Sequence, residues 1–368
     1  MSRNSDDKPR ESRGRRDPLQ RGSRGVPPSA PVDTRPAPPA RRDDREDARG
    51  RGRRPAEPRV PDTAPPPTVE RGMYGQVLGT SGSDDSEAAE IPMAPVRRLL
   101  SLFIAGFSAL LALGLIFGAQ TAGVGAARIP YAIVIFGVQV LFVLAWTMAI
   151  RPPGMREVAG VALATAAAAD LAAVLPEVAG VTMPIIVGVV GFIFGVVGQL
   201  WRREARMRVT EAIGSALVLT IGVISFSTLV VLTRVELGTQ AIVISLTSTG
   251  VALLLARLMD TVAPWPRIAP QVPRGALGVV VGGMAGTLCA AFLGRYIVGF
   301  DPKSAAYVGL AAAGAAILAD LAVGFAEAGR ELAGEPPTMW LARHMQGPLG
   351  GFALAAPVAY AISVLFLT

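Results

Sequence analysis

Lysine occurs only twice in the 368 residues, at Lys8 and Lys303, while histidine and cysteine occur once each, at His344 and Cys289. One cysteine excludes an intrachain disulfide framework and a thiolate metal cage. Cys289 lies in an apolar run and is expected as a small packing residue. No Walker loop, dinucleotide fingerprint, zinc motif or nucleophile elbow is present. His344, next to Arg343 and close to Trp340, reads as an interfacial residue of the last loop. Acid is scarce over most of the chain, with 12 of the 28 acidic residues beyond residue 98. A start made of a short basic region running straight into an apolar core is also missing, so the first hydrophobic run, near residue 99, is expected to stay in place as a membrane span.

What is present divides into two unlike parts. Residues 1–98 carry 20 basic and 16 acidic residues, a net of +4, with clustered prolines and very few large apolar side chains. Such a stretch cannot bury enough surface to offset its chain entropy, so residues 1–95 are expected to form a disordered Arg/Pro-rich tail. The overall charge of +7 invites a nucleic-acid reading. The signs interleave, however, as in Arg41-Arg42-Asp43-Asp44-Arg45-Glu46-Asp47, which fits a solvated tail leaning on anionic lipid head groups and disfavours nucleic acid as a partner.

From 96 to 368 the chain reads as an all-α integral membrane domain. Apolar runs long enough to cross a bilayer fall near 99–119, 129–150, 158–175, 185–200, 212–233, 239–258, 275–294, 304–325 and 347–367. That gives about nine transmembrane helices, with eight as the alternative because the third and fourth runs are short and flanked by Pro176 and Pro184. Alternate connections hold 13 Lys or Arg residues on one side and only four on the other, namely Arg128, Arg234, Arg295 and Lys303. By the positive-inside rule the N-terminus is cytoplasmic and the C-terminus extracytoplasmic, in the plasma (inner) membrane of a bacterial cell. Gly278, Gly282, Gly283 and Gly286 recur at helical spacing, the pattern of close helix packing in lipid.

Charges in hydrocarbon cost roughly 2.5–3.5 kcal/mol on translocon scales and therefore mark candidate sites. Asp170, beside Glu177, is expected in the interface at the outer end of the third span. Arg257 and Asp260 stand at i and i+3 and are expected to pair on one helix face. Asp320 lies deep in the eighth span among Ile317, Leu318 and Leu321; unpaired, it would hold a proton or seek a cation.

The order of these features resembles the phosphatidate cytidylyltransferases, also called CDP-diacylglycerol synthases, over roughly residues 95–368. After the sixth span that family shows Asp-Thr-x-Ala, then Arg-Ile-Ser-Pro-Lys-Lys-Thr, then Glu-Gly-Ala-Ile-Gly. This chain reads Asp260-Thr261-Val262-Ala263, then Arg267-Ile268-Ala269-Pro270-Gln271-Val272-Pro273, then Arg274-Gly275-Ala276-Leu277-Gly278. The family's Gly-Asp-Leu-x-Glu-Ser resembles Ala319-Asp320-Leu321-Ala322-Val323-Gly324, and its Asp-Arg-x-Asp frame falls on Gly347-Pro348-Leu349-Gly350, before Ala355-Ala356-Pro357.

The resemblance implies a polytopic fold with a site open to the cytoplasm, where CTP and phosphatidic acid condense to CDP-diacylglycerol with a divalent metal. It makes Asp260, Thr261 and Asp320 vestigial positions of that site, and Arg257, Arg267, Arg274 and Arg343 candidates for holding phosphate. The serine, the lysines, the glutamates and both acids of the last frame are missing, so carriers for the cations of phosphoryl chemistry are gone. No cofactor is then expected, or Mg²⁺ through Asp320 if the chain turns over. The reading is a degenerate, non-catalytic relative that binds lipid or acts as a scaffold. The alternatives are an active cytidylyltransferase, as a homodimer or paired with an intact paralogue, and a small-solute transporter or flippase.

Overall fold

The computed structural model describes residues 93–201, 208–336 and 338–367. Residues 1–92 of the expected tail, and Arg202, Arg203 and Arg206 of the basic census, lie outside the described residues. The chain forms α1 (Arg98–Ala119), α2 (Ile129–Ile150), α3 (Met155–Val174), α4 (Thr182–Trp201), α5 (Val209–Leu232), α6 (Gly238–Val262), α7 (Ala276–Leu293), α8 (Pro302–Leu332) and α9 (Trp340–Leu367). Among the described residues these nine helices are all long and apolar enough to cross a membrane, and no strand occurs. The third and fourth spans are full helices of 20 residues, about 30 Å at 1.5 Å per residue; Pro176 follows the end of α3, Pro184 sits in the first turn of α4, and the eight-span alternative falls away.

Local signals explain several boundaries. Asp301 caps α8 by accepting the backbone N–H groups of Lys303 (2.8 Å) and Ser304 (3.2 Å), and Pro302 supplies the fixed φ of the first turn. α8 and α9 extend beyond the apolar runs, because polar residues at their ends, from Phe325 to Leu332 and from Trp340 to Gln346, continue the helices. Arg343 and His344 accordingly sit in the first turns of α9 rather than in a loop.

The bundle has two groups of helices. α1, α6, α7 and α8 pack around one another, α2 to α5 form a second group, and α9 lies between them, touching α2, α5, α6 and α8. Lipid-solvated helices gain little from the hydrophobic effect, so contact depends on close approach. Gly278, Gly282 and Gly286 of α7 provide it: a Cβ there would stand 2.8, 2.5 and 2.6 Å from the carbonyl oxygens of Ala256, Ala252 and Ser248 on α6. Ser248 in turn donates its hydroxyl to Gly309 O on α8 at 2.8 Å. This lock brings the C-terminal ends of α6 and α8 beside the N-terminal ends of α1, α7 and α9, and the charged residues of the last third of the chain meet there.

Candidate anion-binding groove

Two acids and two arginines from three segments form a closed cluster. Asp260 ends α6, Asp320 comes from α8, Arg257 lies one turn before Asp260, and Arg274 comes from the loop between α6 and α7. The loop folds back on itself, with Ala276 N–H donating to Pro266 O (2.7 Å), Ile268 N–H to Arg274 O (3.2 Å) and a single bridge between Arg267 and Gly275. Asp260 Oδ1 accepts Gly275 N–H at 3.0 Å, which ties the loop to the helix end and turns Arg274 inward.

The charges then pair across helices. Arg257 Nη2 donates to Asp320 Oδ1 at 2.5 Å, and Arg274 Nη1 donates to Asp320 Oδ2. Arg274 Nε stands 2.9 Å from Asp260 Oδ2, a charge contact without hydrogen-bond alignment, so both atoms keep unused capacity. Asp260, Arg274 and Asp320 are all at most 2% exposed. Burial works against the Arg274 charge, yet the Asp320 and Asp260 carboxylates outweigh it and hold its pKa above the usual arginine value. Two positive and two negative groups sum to zero, which is what a buried site needs to remain charged internally.

α9 makes room for the cluster. A Cβ on Gly347 would stand 2.1 Å from Asp320 Oδ1 and 3.2 Å from Arg257 Nη2, so only glycine lets α9 pass. Above the cluster lies a groove of about 440 Å³. Arg257, Arg274 and Asp320 line its floor, Leu100, Ile104 and Val323 give it apolar walls, and Arg97, Glu327, Trp340 and Arg343 stand around it. Arg343 Nη2 pairs with Glu327 (2.8 Å) and Glu331 (2.5 Å) of α8, while Arg97 is exposed and has no carboxylate partner among the described residues. Trp340 packs on Phe103 and on His344, with ring centroids 6.0 and 5.3 Å apart.

Several expectations change against this geometry. Arg257 and Asp260 do not pair with each other: each reaches a residue of another segment, Arg257 to Asp320 and Asp260 to Arg274, because enclosed Asp320 and Arg274 need counter-charges of their own. Asp320 is not unpaired but holds two guanidinium groups. Arg267 leaves the groove and gives its guanidinium to Ala94 O. Thr261 turns its hydroxyl back to Leu258 O at 2.6 Å within α6. Asp170 is buried in the bundle at 4% exposure rather than lying in the interface. Cys289, on α7, is half-buried.

A divalent cation does not fit the residues present. Asp260 and Asp320, the two carboxylates that the resemblance would give to a metal, are bridged by Arg274, and the two acidic positions of the last frame are Gly347 and Gly350. Among the described residues no group of three or more His, Cys, Asp or Glu side chains is placed to hold a metal. Reasoning from the sequence also missed Arg97, Glu327, Glu331 and Trp340 as neighbours of the site. The i, i+4 acids of α8 facing a basic start of α9 were the available signal.

No protein-family model matches the chain, and no characterised protein matches it in sequence.

Proposed function

We propose that this chain is a non-catalytic relative of the phosphatidate cytidylyltransferases whose groove holds the phosphate head group of an anionic lipid such as phosphatidic acid. The observation that carries the reading is the groove floor. Arg257 Nε and Arg274 Nη2 are buried donors with no acceptor, on two residues that face the same groove. Buried N–H groups are rarely left unpaired, and charged ones least of all, so an acceptor-rich ligand accounts for them. The walls at Leu100, Ile104 and Val323 suit acyl chains, and the exposed Arg97 adds an unneutralised charge at the rim. Catalysis is left out because Arg274 occupies the space between the carboxylates that a metal would need.

The excess of thirteen basic residues over four supports a cytoplasmic position for the groove end in a bacterial plasma membrane. In this reading the tail recruits cytoplasmic or membrane partners to a lipid-loaded bundle. Native mass spectrometry of the full chain, titrated with phosphatidic acid, phosphatidylcholine and inorganic phosphate, tests it. Phosphatidic acid is expected to bind in preference to phosphatidylcholine. Arg97→Gln weakens it roughly fivefold, from about 1 kcal/mol per arginine at a lipid head group. Equal binding of both lipids, or CTP-dependent formation of CDP-diacylglycerol by the purified protein, overturns the proposal.

A further inference from the structure

Away from the groove, α2, α3 and α5 enclose a second polar site. Asp170 of α3 is buried, and its Oδ1 accepts hydrogen bonds from Gln139 Nε2 of α2 at 3.1 Å and from Ser227 Oγ of α5 at 2.7 Å. Gln139 Nε2 also reaches Val223 O at 2.9 Å and Ser227 Oγ at 3.0 Å. These acceptors fix the amide's orientation: turning it over would aim its oxygen at the Val223 carbonyl and the Asp170 carboxyl. Ser227 Oγ holds its place through Val223 O, at 3.1 Å.

Two oxygens of this site have no partner. They are Asp170 Oδ2 and Gln139 Oε1, both buried, and both acceptors as long as Asp170 is ionised. No arginine or lysine pairs with Asp170 among the described residues. Arg234, at the same end of the bundle, spends its guanidinium on the carbonyls of Ala173 (2.8 Å), Pro176 and Glu177 (3.0 Å). Of the other elements packed on α3, the 3-10 turn Gly125–Arg128 carries one charge, Arg128, which forms no ion pair with Asp170. Tyr131 of α2 is the titratable neighbour that feels Asp170, α4 carries no charged residue, and Glu211 of α5 pairs with Arg208 at the opposite end. An uncompensated carboxylate inside a membrane bundle is far costlier than a neutral acid.

We propose that Asp170 is a proton-binding site of the membrane domain, closed as an acid–amide pair: Gln139 Nε2–H donates to Asp170 Oδ1, and a proton on Asp170 Oδ2 donates to Gln139 Oε1. A single proton then serves both orphaned oxygens, cancels the charge and leaves the Ser227 bond in place. The amide is the matched partner for this purpose, because it offers one donor and one acceptor side by side, as the acid does. The site is independent of the lipid groove and of its ligand.

Infrared difference spectroscopy of the full chain in phosphatidylcholine vesicles, wild type against Asp170→Asn, tests the assignment. The wild type is expected to show a carboxylic-acid carbonyl band at neutral pH that shifts in deuterated water, is lost in Asp170→Asn and is unaffected by exchanging Na⁺ for choline. Asp170→Asn keeps the thermal stability of the wild type, since its amide can donate to Gln139 Oε1 as the acid does, whereas Asp170→Leu lowers it. Gln139→Leu retains the acid and moves its band to that of a less strongly bonded carbonyl. Absence of an Asp170-dependent acid band at neutral pH, its removal by Na⁺, or a band unmoved in Gln139→Leu overturns the proposal.

Discussion

Replacing Arg274 by methionine tests whether the arginine–aspartate cluster holds the end of the bundle together. The substitution keeps much of the side chain's apolar length and removes one of two positive charges facing two carboxylates. Arg257 remains on Asp320, and Asp260 keeps only the Gly275 N–H, so one buried acid loses its counter-charge. Breaking a buried pair in this way costs about 3–5 kcal/mol, because desolvation already incurred is no longer offset. For a domain of this size each kcal/mol moves the unfolding midpoint by roughly 2–4 °C, which puts the expected shift on the order of 10 °C. The assay is thermal unfolding in detergent, read by tryptophan fluorescence. A second variant separates charge from packing: Arg257→Met, Arg274→Met, Asp260→Asn and Asp320→Asn together remove every charge and are expected to recover most of the loss. A midpoint shift of less than about 2 °C in Arg274→Met, or no recovery in the fourfold variant, refutes the reasoning.

Gly347→Ala places a methyl group 2.1 Å from Asp320 Oδ1, an atom that cannot retreat because two arginines hold its carboxylate; a loss of about 1–3 kcal/mol is expected in the same unfolding assay, and wild-type stability would contradict the close approach. Asp301 is exposed, and hydrogen bonds from the Ser304 hydroxyl, the Ser304 N–H and the Lys303 N–H hold its carboxyl below the usual range. A depressed folded value means that its contribution is present at neutral pH and fades as the pH falls through that value. Hydrogen exchange at the start of α8 is therefore expected to rise in Asp301→Ala at neutral pH and to match the wild type in acid.

The nine helices were readable because each leaves a long apolar run, and a bilayer-length run has few other uses. The ends were not readable from hydropathy. Residues 326–332 and 340–346 are polar enough to look like connections, yet they continue α8 and α9 as helix because their backbone bonds are made locally, whatever surrounds the side chains. Glycine spacing was informative for the same local reason. Gly278, Gly282 and Gly286 differ by four residues and so share one face of α7, and that face is the one laid against α6 carbonyls.

The charged cluster was legible as a set of residues but not as a set of pairs. Asp260, Arg257 and Asp320 were visible as costly charges and Arg274 only as a phosphate candidate, and the nearest partner along the chain suggested Arg257 with Asp260. Pairing in the folded bundle follows desolvation instead. Asp320, fully enclosed, gains most from a cation and takes both arginines, and Arg274, carried in by a loop anchored on Gly275, is shared with Asp260. The same rule explains why Asp170 was misplaced. Its neighbour Glu177 suggested a wet interface, but Gln139 of α2 and Ser227 of α5 supply a polar pocket inside the bundle. Such partners lie 31 and 57 residues away, so no local pattern announces them. What the sequence offers is a few polar residues in each of three apolar runs, Gln139, Asp170 and Ser227 among them, and such residues in one group of helices are each other's cheapest partners, since an unpaired polar atom in hydrocarbon is costly wherever it lies.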